Sequence, residues 1–252
     1  MSGYRELPPT GAAAGLVECA WQGWSDHPGS RRVLPDGCMD LLLHDGRLTV
    51  AGPDTAAHLA SGPAGALTTG LRFRPGALPA LLGTPAAALR DLRVPLSDVL
   101  PGALPGDLVG ALEATACTVG DAGAPGPGAP RLLLAVAAAL WRSGARHPLP
   151  APLPRPALRA LARGASAADL AEDLGVTSRT LHRHCLATLG YGPSTARRIL
   201  RFRTASALLF DGIAPAEVAA RAGYADQPHL SREVRALTGA SPATLYAAPP
   251  PR

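Results

Sequence analysis

Two groups of side chains in the last third of the chain carry hydrogen-bond donors at helical spacing. The first is Arg179, His182 and Arg183; the second is Gln227, His229 and Arg232. An arginine grips guanine through O6 and N7, and a good bidentate contact discriminates against a wrong base by about 1–3 kcal/mol. Such groups read bases only when they share one exposed face of a helix that enters the major groove near its N-terminus. The spacing meets that condition. Leu181 faces inward in the first group, which turns Arg179, His182 and Arg183 outward by the 3.6-residue period. In the second group Leu230 and Val234 form the inward pair. Pro228, His229 and Arg232 then face out, and Gln227 caps or flanks the start of the helix. Ser178, Thr180 and Ser231 are candidate phosphate contacts, which position a reader without specifying sequence.

Each group needs a preceding helix and a tight turn, and the sequence supplies both. The segments 168–183 and 215–232 each read as a helix-turn-helix unit. A small residue (Ala171, Ala219) stands where the helices cross, with a glycine four positions later (Gly175, Gly223) at the turn. One such pattern is a weak signal, because many helical hairpins share it; two in tandem are a strong one. Between them, Ser194 to Leu209 reads as one long helix bearing Arg197, Arg198, Arg201 and Arg203, with Ile199, Leu200, Phe202, Leu208 and Leu209 as its buried side. A rigid spacer of this kind would hold two readers about 34 Å apart, in consecutive major-groove segments. Arg197 and Arg201 are further candidates for phosphate. The arginines of this helix are also suited to ion pairs with Glu172, Asp173 or Glu217.

Charge agrees with a polyanionic partner for the back of the chain alone. Arginines and acidic residues balance up to residue 156, so the stretch beyond it carries the whole net charge of +5. Every basic residue is an arginine, and alanine, glycine and proline are abundant. That bias belongs to coding composition and argues against reading chemistry into any single arginine. No charged segment followed by an apolar run opens the sequence, and the strongly apolar stretch from Leu132 to Trp141 is too short to cross a bilayer. The 4 cysteines are scattered, without a Cys-x-x-Cys pair or zinc spacing. A reduced, cytoplasmic protein without membrane partner, metal or cofactor is expected. The sequence holds no Ser/His/Asp constellation, phosphate loop or paired-carboxylate motif, so no enzymatic activity is expected.

The front of the chain reads as β-rich. Apolar runs at 16–24, 38–44, 48–51 and 67–73 are separated by Gly, Pro, Asp and Ser, and Asp45-Gly46 is a hairpin signal. The pattern turns helical from Pro75, with Leu78, Leu81 and Leu82 and then 86–92; a weaker helix is expected over 104–116. The expected organisation is a β-rich domain over 1–120, a Pro/Gly-rich linker over 121–156 containing one helix (131–143), and a helical domain over 157–248. The linker helix is apolar nearly all round, which predicts burial against the front domain or a partner subunit.

Residues 157–246 resemble the DNA-binding domain of the AraC/XylS-type transcription regulators. The resemblance is carried by the segment from Gly223 to Tyr246, which ends in Gly239, Pro242 and Tyr246 at the family's Gly-x-x-Pro-x-x-x-Tyr spacing, and by Gly190-Tyr-Gly-Pro193 in the first unit. Cys185, Leu230 and Val234 stand where the family usually has phenylalanine, and Pro228 removes a polar side chain from a common contact position. The resemblance implies seven helices on an asymmetric, double-stranded promoter site, with RNA polymerase as a partner. The stretches 32–43, 50–53 and 70–77 are similar to the N-terminal domain of actinobacterial members. That implies a small cupin-like β-barrel which senses a small-molecule effector or mediates homodimerisation, and hence an α+β protein: a cupin-like β-barrel with helices in front, an all-α double helix-turn-helix behind.

Trp21, Trp24, Arg72 and Arg74 are the candidate effector contacts, an arginine being suited to a carboxylate or phosphate. The competing assignment makes both tryptophans core and pairs Arg74 with Asp36 or Asp40. Cys38 reads either as a redox or alkylation sensor or as a buried, inert thiol. His44 and His58 lack a third ligand nearby. Two other function classes compete: a DNA-repair alkyl acceptor, against which stand the missing four-cysteine cluster and Pro-Cys-His motif, and an interaction protein with degenerate helix-turn-helix units.

Overall fold

Alternation of apolar and polar side chains builds the front of the molecule. The computed structural model describes residues 3–9, 15–25, 27–100, 106, 128–142 and 149–246. Its strands are β1 (Gly3–Leu7), β2 (Val17–Trp24), β3 (Gly29–Val33), β4 (Met39–His44), β5 (Arg47–Ala51), β6 (His58–Gly62), β7 (Leu67–Phe73) and β8 (Arg93–Pro95). Six form an antiparallel sheet in the order β1-β2-β7-β4-β5-β8, while β3 and β6 pair as a separate two-stranded sheet. The front thus divides its described strands between two sheets. In β4 the period of two is plain: Met39, Leu41 and Leu43 are buried, and Asp40, Leu42 and His44 on the other face are less so. The β4–β5 hairpin closes at Asp45-Gly46, both with positive φ (47° and 70°), the geometry of a two-residue type I′ turn.

The four strand segments expected from the apolar runs are present as β2, β4, β5 and β7. The alternation signal missed β1, β3, β6 and β8. Sequences such as Gly29-Ser-Arg-Arg-Val33 present no apolar face, and β3 and β6 are largely exposed. Helix α1 (Ala77–Leu82) follows β7, and α2 (Leu96–Val99) follows β8. The helix expected over 86–92 shrinks to a single 3-10 turn at Ala86–Ala88, because Asp91 adopts positive φ and turns the chain. The weaker helix expected over 104–116, and most of the proposed linker, lie outside the described residues. Helix α3 (Gly128–Arg142) begins earlier than expected and is buried along Leu133, Val136, Ala137 and Leu140. Those side chains join Leu41, Leu43, Leu71, Phe73, Leu78 and Leu82 in one apolar cluster. Burial against the front region therefore accounts for most of this helix's apolar surface; Trp141 at its end stays exposed.

Seven helices follow: α4 (Arg155–Ala162), α5 (Ala167–Asp173), α6 (Ser178–Leu189), α7 (Pro193–Phe210), α8 (Pro215–Arg221), α9 (Gln227–Thr238) and α10 (Pro242–Tyr246). Proline starts α7 and α8, where its missing N–H leaves nothing unsatisfied. Helix α7, 18 residues and so about 27 Å long, runs through the centre. Its Ile199, Phe202 and Ala205 share one core with Leu170 and Leu181 of the first unit and with Val218, Leu230 and Val234 of the second. The whole is α+β, a sheet region followed by a helical region.

Candidate nucleic-acid interface

The first helix-turn-helix unit is α5 and α6. Ser166 caps α5 by accepting the Asp169 N–H, and Thr177 caps α6 by accepting the Thr180 N–H at 3.1 Å. Ala171, Leu181 and Cys185 are buried. Ser178, Arg179, His182 and Arg183 are exposed, as the 3.6-residue period requires. The His182 ring lies against the next turn, where a Cβ on Gly192 would come within 2.7 Å of its Cε1. Thr180 Oγ1 lies 3.0 Å from the Thr177 hydroxyl, so this candidate phosphate contact already takes part in the cap.

The second unit is α8 and α9. The Asp226 carboxylate caps α9, accepting the His229 N–H at 2.6 Å; Pro228 occupies the first turn without loss. Ala219, Leu230 and Val234 are buried. Gln227 and Arg232 are exposed, while Ser231 is half-buried. The His229 ring is held in place and half-buried. It stands edge-on to Tyr224 with centroids 5.2 Å apart, and its Nδ1 accepts the Ala225 N–H at 3.4 Å. With Nδ1 accepting, Nε2 is the nitrogen left to donate, so the second reader presents its histidine less freely than the first, and Pro228 brings no donor. Arg235, exposed near the end of α9, is a cation that the sequence reading passed over; its place one turn beyond Ser231 was the available signal.

The arginines of the spacer helix divide sharply. The Arg201 guanidinium stacks on the Tyr224 ring, 4.3 Å from its centroid, and donates to the Gly223 carbonyl at 3.4 Å. Arg198 Nε donates to Glu233 at 2.7 Å, and Arg203 pairs with Glu18 of the sheet region. These partners replace the expected Glu172, Asp173 and Glu217, the last of which pairs with Arg221. Arg201, a candidate phosphate contact, is thus turned onto the second unit's own turn. Arg197 is half-buried and has no ion pair among the described residues.

In the sheet region the pairing expected of Arg74 belongs to Arg72, which lies 3.3 Å from Asp36, 3.5 Å from Asp40 and 3.7 Å from Glu6. Arg74 instead donates from Nε to the Val17 carbonyl at 3.2 Å. Both tryptophans pack on glycines across a strand pair. A Cβ on Gly70 would stand 2.1 Å from the Trp21 ring, and one on Gly3 would stand 2.2 Å from the Trp24 ring. Trp21, Asp40 and Arg72 share one sheet face, since Trp21 is opposite Gly70 and Asp40 is opposite Arg72.

Burial pushes the Asp40 carboxyl up to about 6, against the opposing pull of Arg72. The native state then holds a proton that the unfolded chain releases. Stability is expected to fall as pH climbs from about 4 to about 6, by no more than about 2–3 kcal/mol. Asp40→Asn should flatten that window in urea unfolding; a variant whose stability falls with pH as the wild type's does would clear Asp40 of the effect.

Cys38 is buried, and burial together with Asp36 pushes its thiol well up. That opposes the thiolate character a redox or alkylation sensor needs. His44 Nδ1 lies 3.2 Å from the Leu67 carbonyl and 3.1 Å from the Thr68 hydroxyl. Among the described residues, no three His, Cys, Asp or Glu side chains group as metal ligands.

A helix-turn-helix domain family model matches residues 170–247, from α5 to the end of α10. The back of the chain is an AraC/XylS-type helix-turn-helix domain. The signature residues of the AraC-type domain have clear duties. Gly239 ends α9 at φ 72°, Pro242 starts α10, and the Tyr246 hydroxyl lies 2.7 Å from Ser206 Oγ with its ring edge-on to Phe210. Cys185, Leu230 and Val234, at positions where the family usually has phenylalanine, are all fully buried, so the smaller side chains still close the core.

A domain of unknown function (DUF6597) matches residues 5–95. Solved structures similar along the whole chain include ToxT from Vibrio cholerae O395 (8% identity, TM-score 0.44, covering 98% of this chain and 96% of that one). A P21 crystal form of Vibrio cholerae ToxT has 9% identity and a TM-score of 0.47, covering 97% of this chain and 98% of that one. An unsaturated fatty acid-bound ToxT from Vibrio cholerae strain SCE256 has 9% identity and a TM-score of 0.42, with 98% and 94% covered. No curated protein matches the chain.

Proposed function

We propose that this protein is a sequence-specific DNA-binding transcription regulator that reads promoter DNA chiefly through α6 and secondarily through α9. One observation carries the reading. Two capped helices built on one core present Arg179 and Arg183, and Gln227 and Arg232, to solvent, while the residues between them on the inner face are buried. Base contacts are assigned to those four side chains and His182; phosphate contacts are assigned to Ser178, Ser231 and Arg197. The sheet region would respond to a small molecule or join two copies, and promoter occupancy would place the protein beside RNA polymerase.

The spacer arginines test this assignment. Arg197→Ala should weaken binding to all duplexes and lower the slope of log affinity against log salt by about one unit. Arg201→Ala should leave that slope alone and loosen the second unit by about 0.5–1 kcal/mol through loss of the Tyr224 stack. The reverse pattern in a salt titration would move Arg201 to the DNA and Arg197 into the scaffold. The alkyl-acceptor alternative fares poorly on the described cysteines. Burial raises the thiols of Cys19 to about 12 and Cys185 to about 11, and pushes that of Cys38 well up.

A further inference from the structure

The sheet region touches both reading helices, and it touches each at the end away from the DNA. At the end of α9, the Ala57 N–H donates to the Leu237 carbonyl at 2.7 Å. Just past α6, Arg90 donates to the Gly190 carbonyl at 3.4 Å, and a Cβ on Gly190 would come within 2.5 Å of Pro53. Between these two points the spacer helix is held as well. Gly37 lies so close to α7 that a Cβ there would stand 3.1 Å from Leu200, and Leu34 packs against the helical core. Arg203 reaches back across the seam to Glu18 and, at 3.3 Å, to Cys38 Sγ, which itself lies 3.3 Å from the second Glu18 oxygen.

The contacts therefore fall on three elements: the end of the first reader, the middle of the spacer and the end of the second reader. A 12-residue reader is about 18 Å long, so support at its C-terminal end leaves the base-facing first turns free. The first reader joins the spacer through one short loop and the second through α8, and a body held at three points cannot bend along that path without breaking a contact elsewhere. Arg203 and Glu18 are each about two-thirds buried on the side chain, which shields their pair from salt more than an open surface pair.

We infer that the sheet region sets the separation and angle of the two reading helices, with Arg203 and Glu18 as positioning residues that decide which spacing of two DNA elements is bound. The inference rests on the DNA-reading function proposed above. Asp36 joins the seam to the polar face of the sheet, accepting the Cys38 N–H at 2.9 Å while pairing with Arg72. A group bound on that face thus lies one residue from the positioning pair.

The test uses the full chain and duplexes bearing the two elements it selects, either at the selected separation or with two base pairs inserted or removed. Wild-type protein should discriminate against the altered spacings. Glu18→Ala, which leaves every residue of the helical region unchanged, should reduce that discrimination by about five- to tenfold, and the isosteric Glu18→Gln should reduce it less. Discrimination unchanged in both variants would overturn the inference, as would an equal loss of affinity at every spacing. Failure of the wild type to select any two-element site would be a different failure: it would remove the DNA-reading function, and this inference with it.

Discussion

Gly190→Ala is expected to destabilise the protein by about 2–5 kcal/mol, because the substitution strains the backbone and collides with a neighbour at once. Gly190 ends the first reading helix at φ 88°, with its N–H donating to the Cys185 carbonyl at 3.1 Å. An L-residue in that conformation costs about 1–2 kcal/mol. The added Cβ would also stand 2.5 Å from Pro53 Cγ and 3.2 Å from the Ala86 carbonyl oxygen, so the sheet region would have to retreat from α6. Gly239 is the internal control. It ends the second reading helix in the same conformation, at φ 72°, but a Cβ there meets nothing within 4 Å. Gly239→Ala should therefore cost only the backbone part, about 1–2 kcal/mol. Urea unfolding of both variants reads the difference, and equal losses would mean that Gly190 does not carry the seam.

Arg183→Ala is expected to leave stability within about 0.5 kcal/mol, since the side chain is exposed. It should nonetheless relax sequence preference at one base position by about 1–3 kcal/mol. Arg183 lies one turn beyond Arg179 on the outward face of α6, opposite the buried Leu181 and Cys185. That arrangement allows a bidentate grip on guanine without moving the helix. Selection of binding sites by the variant would show degeneracy confined to one position of the first element. An unchanged motif would take Arg183 off the reading face.

The features legible in the sequence were those set by local periodicity. The two readers and their turns, the strands β2, β4, β5 and β7 and the Asp45-Gly46 hairpin all follow from spacing of 3.6 or 2 and from turn chemistry. Less legible were the contacts of side chains whose partners come from far along the chain. Arg201 and Tyr224 meet because α7 crosses the second turn, and His229 packs against the same ring. No local pattern distinguishes those two from side chains open to solvent. Arg72 and Arg74 are both beside the acidic pair in sequence logic. Only the register that sets Asp40 opposite Arg72 decides between them. Glu18 and Arg203 sit in separate regions, so their pairing depends on how the two regions dock. The edge strands were missed for another reason: exposed on much of their surface, they need no alternation.

The most direct test of the central claim is selection of bound duplexes from a randomised library by the full-length protein at physiological salt. A single motif of two elements about one helical turn apart, the element read by α6 better defined than that read by α9, is the predicted result. Salt-sensitive binding that enriches no motif would contradict sequence-specific reading by these two helices.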